Sequence, residues 1–493
     1  MSRLLRRALD GVRKAIRLYG WRGLLVRLPQ YLRLFAQEVR PTTLPGASNP
    51  KEGGAPPAPA RLHPELVMDA GAPPTIDASV SIVIPTLNAG AEFLALLRKL
   101  QTQRGVRQIE LLVLDSGSKD GTVAAAQAAG ARVQAVAQGD FSHSGTRNRG
   151  AELATGTHVL FMVQDAYPIG DWWLHGLLRY LLDHQDQGLV ALSCTEYCRD
   201  DSDMMYECNI ATYYRFLGCK ESDRMAQLAG HGHESLRTMG QLSDIACLIA
   251  RDRFLQYRYR GEFAEDLDLG VRLIQDGYRI AMLASVKVIH SHNRPALYYL
   301  KRSFVDIEFL KRRFTDFERP RPVSALGLLA GALYVAHLLS RERPGAHSAQ
   351  AQQPLEAGFD RWLGTLRADI PPALAVHQDI GLGDTRLETV LRQLLQEAAA
   401  LPAALPKDVA AGARAFVDDF MARMAFFNQY ACSVYGGSEA AVGYAWWEAA
   451  CKVFAAGLGA NLADLYLDRC ERPETDAERT WLHGVARQLM AGV

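Results

Sequence analysis

The 493-residue sequence lacks the features that define several large protein classes. Its eight cysteines form no CxxC pair and no Cys/His spacing typical of zinc, so we expect reduced thiols rather than a disulfide framework. The net charge is only +1, which removes any whole-protein electrostatic argument for a nucleic-acid partner. A charged segment, an apolar core and a small-residue cleavage site do not follow one another at the start, so a secreted protein is not expected.

Two common phosphate-binding motifs are also missing. The sequence contains neither GxxxxGK[ST] nor GxGxxG after an apolar run, so it supports neither a P-loop nor a dinucleotide fingerprint. A nucleotide would have to be held in another way, and a divalent metal that bridges a diphosphate is a chemical alternative. Such a metal needs a few carboxylate or imidazole ligands and open positions for phosphate oxygens.

Charge is concentrated at the start of the chain. Residues 1–40 carry ten arginines and lysines against two acids, with apolar residues at helical spacing between them. This pattern favours an amphipathic helix on an anionic membrane surface, and the alternative is a basic helix packed on the body of the protein. Residues 41–78 are rich in Pro, Gly and Ala and are predicted to be a linker.

Short apolar runs alternate with helical patterns between residues 79 and 315. The runs that we interpret as buried strands are 79–85, 109–115, 131–137, 158–165 and 278–290. This alternation predicts an α/β domain whose mostly parallel sheet is covered by helices on both faces. In such sheets ligands bind at the carboxyl ends of the strands, so the polar residues that follow the runs are the candidates for a site.

After Arg294 the pattern becomes helical, and residues 296–314 have helical periodicity with a basic face. Residues 316–354 are predicted to form an apolar helix and a polar linker, and residues 355–493 an all-helical domain. The apolar run 323–339 has 17 residues, which is the lower limit for spanning a bilayer. We therefore expect a buried or membrane-dipping helix there.

Six motifs follow one another within the predicted sheet domain. They are VIPTLNAG (83–90), LLVLDSGSKDGT (111–122), DFSHSGTRNRGAELATG (140–156), FMVQDAYP (161–168), FAEDLDLGVRLIQDGYRI (263–280) and VKVIHSHNRP (286–295). Together they resemble the family 2 glycosyltransferases of the GT-A fold. Members of this family transfer a sugar from a nucleoside diphosphate to an acceptor hydroxyl with inversion at the anomeric carbon. The resemblance extends over residues 79–315.

The resemblance implies a set of donor-binding residues. Thr86 and Asn88 match the end of the family's first strand, where the donor nucleoside lies. Asp115 matches the acid that contacts the base. Arg147 and Asn148 match the family's Arg-Asn pair, where an arginine can meet the diphosphate or the base, a task that suits its charge and its fork of donors.

The resemblance also implies a Mn²⁺ or Mg²⁺ ion. In many relatives the metal motif reads Asp-x-Asp, whereas here VQD (163–165) keeps only the second acid. This motif and DFSHSG both look like rhamnosyltransferase members of the family, which makes His143 a further donor contact. The expected metal ligands are Asp165, which also contacts the donor, and His290. His292 shares the face of an extended chain with His290 and remains the alternative.

The segment 263–280 is predicted to hold the catalytic base. Its apolar stripe at helical spacing turns Glu265, Asp266 and Asp268 away from the core at the first turn. For an isolated helix these acids would only complement the positive end of the dipole. The resemblance implies instead that Asp266 takes the proton of the acceptor hydroxyl. Glu265 and, in the preceding segment, Asp244 are expected on the acceptor side.

These features predict an inverting, metal-dependent glycosyltransferase. The implied donor is dTDP-rhamnose, and the implied acceptor is a bacterial surface polysaccharide such as O-antigen, or its lipid-linked precursor, at the cytoplasmic face of the inner membrane. A UDP-hexose or similar donor is the alternative within the class. A noncatalytic scaffold of a polysaccharide assembly complex is the alternative outside it. Retention of Asp165, Asp266 and His290 together argues against the scaffold.

Overall fold

The computed structural model describes eight stretches of the chain: residues 73–199, 202–318, 324–342, 380–398, 401, 406–435, 443–470 and 476–491. The predicted basic helix (1–40), most of the predicted linker (41–78) and the segment 343–379 lie outside the described residues. By its internal packing the chain divides into two units. In the first unit the described residues are those up to Ser202 and then Asn209–Ser291. In the second unit they are Asp203–Cys208 and those from His292 onward.

The described part of the first unit forms a nine-stranded sheet. Its strands are β1 (Ile76–Thr86), β2 (Val106–Asp115), β3 (Arg132–Ala135), β4 (His158–Met162), β5 (Tyr167–Pro168), β6 (Leu189–Tyr197), β7 (Arg224–Ala226), β8 (Ala246–Ala250) and β9 (Arg279–Ile289). Their order is β3-β2-β1-β4-β8-β6-β9-β5, and β7 pairs with β9. The pairs among β1 to β4 and the pair β6–β9 are parallel, whereas β8 is antiparallel to both of its neighbours. The predicted mostly parallel sheet is confirmed.

Helices follow most of these strands. They are α1 (Phe93–Gln101), α2 (Thr122–Ala128), α3 (His143–Leu153), α4 (Trp173–Asp183), α5 (Met204–Phe216), α6 (His233–Met239), α7 (Arg251–Tyr257) and α8 (Glu265–Gln275). The first strand starts at Ile76, before the predicted domain boundary at residue 79, and Ile76 already pairs with Val106 of β2.

The sheet carries helices on both faces, as predicted. Side chains alternate between the two faces along each strand. On one face Ile82 and Ile84 join the apolar cluster that includes residues of α1 and α4. On the other face Phe161 of β4 contacts Phe254 of α7, with ring centroids 4.5 Å apart. Burial on both faces explains why these strands are apolar along their whole length.

Helix α8 lies close to the end of α6. A Cβ atom added at Gly270 would stand 1.9 Å from the backbone oxygen of Gly240, so only glycine permits this approach. The predicted apolar stripe of α8 is confirmed, because Leu267, Val271 and Ile274 are all buried. The close contact and the stripe together fix the position of the helix that begins with Glu265 and Asp266.

The second unit is helical. Besides the start of α5, up to Cys208, it contains α9 (Ala296–Arg313), α10 (Ala325–Arg341), α11 (Thr385–Ala398), α12 (Pro406–Tyr435), α13 (Gly443–Cys470) and α14 (Asp476–Met490). The sequence grouped α9 with the sheet domain, whereas the structure assigns it to this unit. The reason is a close helix crossing, since a Cβ at Gly459 of α13 would stand 2.0 Å from the backbone oxygen of Leu300.

Helix α10 contains the apolar run and is buried along most of its length. Gly327 and Gly331 let its backbone approach Gly412 and Ala413 of α12, where an added Cβ atom would stand within 2.8 Å of that backbone. The buried alternative therefore describes this helix. None of the helices in the described stretches combines the length and the apolar character needed to cross a bilayer.

The cysteines whose side chains are described form no disulfide. They lie buried among apolar side chains, as Cys194 and Cys247 illustrate in strands β6 and β8. Reduced thiols remain the expectation for these residues.

We predict that Gly270→Ala destabilises the fold by about 1–3 kcal/mol, the usual cost of overpacking, because the methyl group forces α8 away from Gly240. Thermal unfolding followed by circular dichroism measures the change. Gly484→Ala in α14 is the matched control, since nothing lies within 4 Å of its added Cβ. In the control, alanine's better helix propensity should stabilise by up to about 1 kcal/mol. Equal unfolding midpoints for Gly270→Ala and the unaltered protein would contradict the close approach.

Candidate functional site

Six chain segments meet at one edge of the sheet. The carboxyl ends of β1, β2, β4, β6 and β9 lie there, together with the start of the antiparallel β8. The pairs Thr86↔Asp115, Met162↔Ala246 and Tyr197↔Ile289 mark this edge. Polar residues follow or end each strand, and the predicted site residues at the edge are Thr86, Asn88, Asp115, Asp165, Asp244 and His290.

Asp115 organises the loop between β2 and α2. One of its oxygens accepts hydrogen bonds from Thr86 Oγ1 at 3.1 Å and from the Ser118 hydroxyl, and the other accepts from the backbone N–H groups of Gly117 at 3.0 Å and Ser118 at 2.9 Å. Burial acts to raise the pKa of Asp115, but these hydrogen bonds outweigh it and the pKa is lowered. The carboxylate is ionised and its loop is fixed before any ligand binds.

Asn88 joins the loop after β1 to the loop after β2. Its backbone N–H donates to Ser118 Oγ at 2.7 Å, and its side-chain Oδ1 accepts from the Lys119 N–H at 2.8 Å. The residue adopts the left-handed conformation with φ of 47°, which asparagine tolerates better than most residues. The structure thus brings Thr86, Asn88 and Asp115 together, and their contacts with a nucleoside remain predictions.

Asp165 lies beside the two histidines that follow β9. Its Oδ1 is 3.6 Å from His290 Nε2, and Asp165, His290 and His292 each offer a ligand atom within 4.8 Å of the others. Metal–ligand bonds of about 2.1 Å place ligand atoms about 3 to 4.2 Å apart in an octahedral site. A divalent cation therefore fits this donor set after small side-chain movements, and carboxylate with imidazole suits Mn²⁺.

His290 is buried between two acids. Its Nδ1 lies 2.5 Å from Oε2 of Glu196, the next-to-last residue of β6, and its Nε2 faces Asp165. Burial acts to lower the pKa of His290, but the hydrogen bond and the charge of Glu196, together with Asp165, outweigh it and the pKa is raised. The side chain is only 4% exposed, compared with 34% for that of Asp165, so solvent reaches the pair from the Asp165 side.

Gln164 explains the geometry of the shortened metal motif. Strand β4 ends at Met162, before the predicted end at residue 165. The Gln164 side chain then accepts from the Leu87 N–H at 3.0 Å and donates to the Leu87 carbonyl at 3.3 Å. These two hydrogen bonds hold the segment before Asp165 against the loop after β1, which carries Asn88.

Arg147 belongs to a buried ion-pair network. Its Nη1 donates to Glu265 Oε1 at 2.9 Å, and its Nε lies 3.3 Å from Asp244 Oδ2. The Tyr259 hydroxyl donates to the other oxygen of Asp244. Burial acts to lower the pKa of Arg147, but Asp244 and Glu265 outweigh it and the pKa is raised. The Arg147 guanidinium thus forms ion pairs with two acids of the protein. Its contact with the diphosphate remains a prediction.

Glu265 is not turned away from the core, contrary to the sequence expectation. Its side chain is only 10% exposed because Arg147 draws it inward. Burial and the negative charges of Asp244 and Asp266 raise the pKa of Glu265 to about 8, although Arg147 acts in the opposite direction. One buried cation cannot fully compensate several acids, so a proton is retained in the network near neutral pH.

Asn148 and His143, the other predicted site residues on α3, have different surroundings. The Asn148 side chain donates to the Tyr259 carbonyl and accepts from the Tyr259 N–H, both at 3.0 Å, so it clamps the backbone beside the Arg147 network. His143 is exposed at the start of α3, after the N-cap Ser142. The structure gives Asn148 a structural role, and the donor contacts of both residues remain predictions.

Asp266 is half-buried in the first turn of α8. The preceding Ala264 has φ of 49°, a left-handed conformation that is costly for alanine and is seen most often at functional sites. The Leu267 N–H donates to Asp266 Oδ1 at 2.7 Å and fixes one side of the carboxylate. The pKa of Tyr213 is raised well above its usual value by burial and then by several charges, among them Asp266 and Glu196. Asp266 and Glu196 both contribute to the raised pKa of this tyrosine, with burial as the larger cause.

Sequence reasoning missed three residues of this site: Glu196, Tyr213 and Tyr259. Glu196 had a usable signal, because it ends the apolar run LVALSCTEY (189–197) in the way that Asp115 ends its own run. The two tyrosines had none, since neither ends a run of apolar residues. Their places depend on how the chain between β6 and β9 folds back over the edge of the sheet.

We predict that replacing Glu265 with glutamine changes how stability depends on pH. Between its ordinary pKa of 4.5 and about 8, the unfolded chain has lost the Glu265 proton while the folded protein keeps it, so this group's contribution to stability falls as pH rises. Glu265→Gln removes that loss. Its stability relative to the unaltered protein should rise with pH, by up to about 1.4 kcal/mol per pH unit, the slope given by one proton.

Urea unfolding between pH 5 and 8 measures this difference. Asp244, Asp266 and Arg147 face Glu265 and are unchanged in the variant. A relative stability that is constant or falls with pH would mean that Arg147 keeps Glu265 ionised throughout.

Comparison with known proteins agrees with the motifs. Residues 81–232 match the family model of Glycosyl transferase family 2. The O-antigen chain rhamnosyltransferase RfbN of Salmonella typhimurium is 27% identical over 220 residues, which cover 43% of this chain and 67% of that protein. The O-antigen chain rhamnosyltransferase WbaN of Salmonella anatum is 25% identical over 229 residues, or 44% of this chain and 67% of that protein.

Among solved structures, the mannosyltransferase PcManGT from Pyrobaculum calidifontis, determined with GDP-Man and Mn²⁺, aligns with a TM-score of 0.40 at 14% identity. The alignment covers 90% of this chain and 97% of that one. The family match falls on the sheet domain that carries the predicted motifs. This domain is therefore similar to the family 2 glycosyltransferases.

Proposed function

We propose that this glycosyltransferase inverts the anomeric centre and moves L-rhamnose from dTDP-rhamnose to a hydroxyl group of a bacterial surface polysaccharide or its lipid-linked precursor. One observation carries the catalytic part of the proposal. The Asp165–His290 pair lies at the edge of the sheet that also carries Asp244, and Arg147 joins Asp244 to Glu265, the neighbour of Asp266 in the chain. A donor site and a base at this edge are what one reaction requires.

Asp266 is the proposed general base. Its carboxylate accepts the proton of the acceptor hydroxyl while that oxygen attacks the anomeric carbon, and the bond from this carbon to the diphosphate breaks. The Leu267 N–H holds the carboxylate in place at the start of α8. The neighbouring Glu265 pairs with Arg147, and its raised pKa favours the protonated form, so neither group takes up the acceptor proton.

The leaving diphosphate belongs at Asp165. Asp165 and His290, with His292 as a further ligand, would hold a Mn²⁺ or Mg²⁺ ion, which when bound supplies positive charge to the departing phosphate oxygens. The chain's own contribution is the fixed loop on the nucleoside side. Thr86 and Asp115 are hydrogen-bonded to each other before a donor arrives, so little ordering remains to be done on binding.

The proposed donor and acceptor are supported by the similar proteins and by the basic start of the chain. The names of the two Salmonella relatives support rhamnose as the transferred sugar and O-antigen or a similar glycan as the product. A UDP-hexose or another nucleotide sugar is the alternative donor. We place the reaction at the inner face of the bacterial inner membrane, where the basic residues 1–40 would bind anionic lipid; these residues lie outside the described part of the chain.

We predict that Asp266→Asn lowers sugar transfer by about 10²–10⁴-fold, the usual contribution of a general base, while nucleotide binding stays the same. Asp268→Asn is the matched control on the same helical turn, because Asp268 pairs with Arg272 at 2.8 Å and has no proposed part in the reaction. Transfer is measured with dTDP-rhamnose and lipid-linked acceptor. Full activity of Asp266→Asn would remove Asp266 from the mechanism.

We predict that dTDP binds more tightly than UDP or GDP, and that both Mn²⁺ removal and Asp165→Ala weaken its binding. Calorimetry of the three nucleotides with and without Mn²⁺ requires no knowledge of the acceptor. Tightest binding of UDP would replace rhamnose by another sugar while leaving the enzyme class in place. Failure of all three nucleotides to bind under every condition would favour the noncatalytic scaffold.

A further inference from the structure

Glu196 is a buried acid that directly contacts a proposed metal ligand. It is the next-to-last residue of β6 and pairs in parallel register with Val288, two residues before His290. Its side chain is only 1% exposed. Its Oε2 is 2.5 Å from His290 Nδ1, and Oε1 lies 3.5 Å from the Tyr214 hydroxyl. A carboxylate buried this deeply is costly unless it is hydrogen-bonded, and His290 provides a short contact to it.

The backbone fixes both partners in this contact. The His290 N–H donates to the carbonyl of Tyr197 at 2.9 Å, so the parallel ladder of β6 and β9 continues one residue past the end of β9. Glu196 and His290 are thereby held on adjacent strands. The imidazole ring turns its Nδ1 side toward Glu196 and its Nε2 side toward Asp165, 3.6 Å away.

A carboxylate at Nδ1 determines where the imidazole carries its proton. An ionised carboxylate only accepts hydrogen bonds, so the short contact requires a proton on Nδ1. In the neutral ring the lone pair then lies on Nε2, the atom that faces Asp165. Histidines that bind metals commonly donate their other ring N–H to a carboxylate in this way, which fixes the ring and makes the ligand more basic.

We propose that Glu196 is a positioning residue that holds His290 as its Nδ1–H tautomer, so that Nε2 can bind a divalent cation together with Asp165. This inference rests on the proposed function, since it concerns the same metal site. A buried ion pair that only stabilises the fold is the competing explanation. It would leave the metal affinity of a folded variant unchanged.

Two substitutions separate the charge of Glu196 from its hydrogen bond. Glu196→Gln keeps an oxygen that can accept from Nδ1–H, whereas Glu196→Ala removes the acceptor. We expect Glu196→Ala to weaken binding of Mn²⁺ alone by about 10–100-fold, the usual effect of losing such a partner, and Glu196→Gln to weaken it less. Glu110→Gln on β2 is the matched control. Glu110 is also a largely buried strand carboxylate, 16% exposed, with hydrogen bonds to Ser81 and Thr155 and no contact with His290.

The measurements are calorimetry with Mn²⁺ and nitrogen NMR of the full chain labelled with ¹⁵N-histidine. His290→Gln identifies the His290 signals and tests whether binding requires this residue. In the unaltered protein the shifts should report a protonated Nδ1. In Glu196→Ala they should move toward the Nε2–H form, and Glu196→Gln should restore the original pattern.

The outcomes distinguish this inference from the proposed function. If the unaltered protein does not bind Mn²⁺, both the metal site and the role of Glu196 are overturned. If binding requires His290 but is equal in Glu196→Ala, only the role of Glu196 falls. An unchanged tautomer in Glu196→Ala, or an equal loss of affinity in Glu110→Gln, would also overturn it.

Discussion

The direction of strand β8 is the constraint on which the site depends. Because β8 runs antiparallel between β4 and β6, its start rather than its end lies at the carboxyl edge of the sheet. Asp244, which precedes β8, is therefore brought to the same edge as Asp165 and Glu196, which lie at or after the ends of parallel strands. In a fully parallel arrangement Asp244 would stand at the opposite edge, and Arg147 would lose one of its two acids.

The charged side chains at this edge of the sheet form two clusters with different surroundings. Arg147 is matched against Asp244 and Glu265, and the excess of acid is relieved by raising the pKa of Glu265. A diphosphate that approached Arg147 would have to compete with these two acids. The second cluster, Asp165 and His290, is open to solvent on the Asp165 side, where a cation could bind together with its ligand. In the proposed mechanism, the base and the metal ion use different clusters at one edge of the sheet.

The sequence predicted the parts of the fold that local pattern determines. Strands β1, β2, β4 and β9 were found because two-sided burial makes them continuous apolar runs. Strands β6 and β8 were not assigned from the sequence. The segments LVALSCTEY and ACLIA become strands through pairing with strands that are distant in the chain. The same limit applies to the site. Asp165 and His290 were predicted to meet because both follow strands, whereas the burial of Glu265 depends on Arg147, 118 residues away.

Val163 is the remaining departure from the metal motif that the chain resembles, and Glu196 suggests how the structure accommodates it. An Asp-x-Asp motif supplies two negative charges from one strand, and here that strand supplies only Asp165. Glu196 contributes a second negative charge through His290, from the other side of the imidazole ring. A charge relayed in this way makes the histidine a stronger ligand without occupying a coordination position. If the metal ion binds as proposed, the loss of one acid leaves more positions for phosphate oxygens, and Val163 is compatible with a working site.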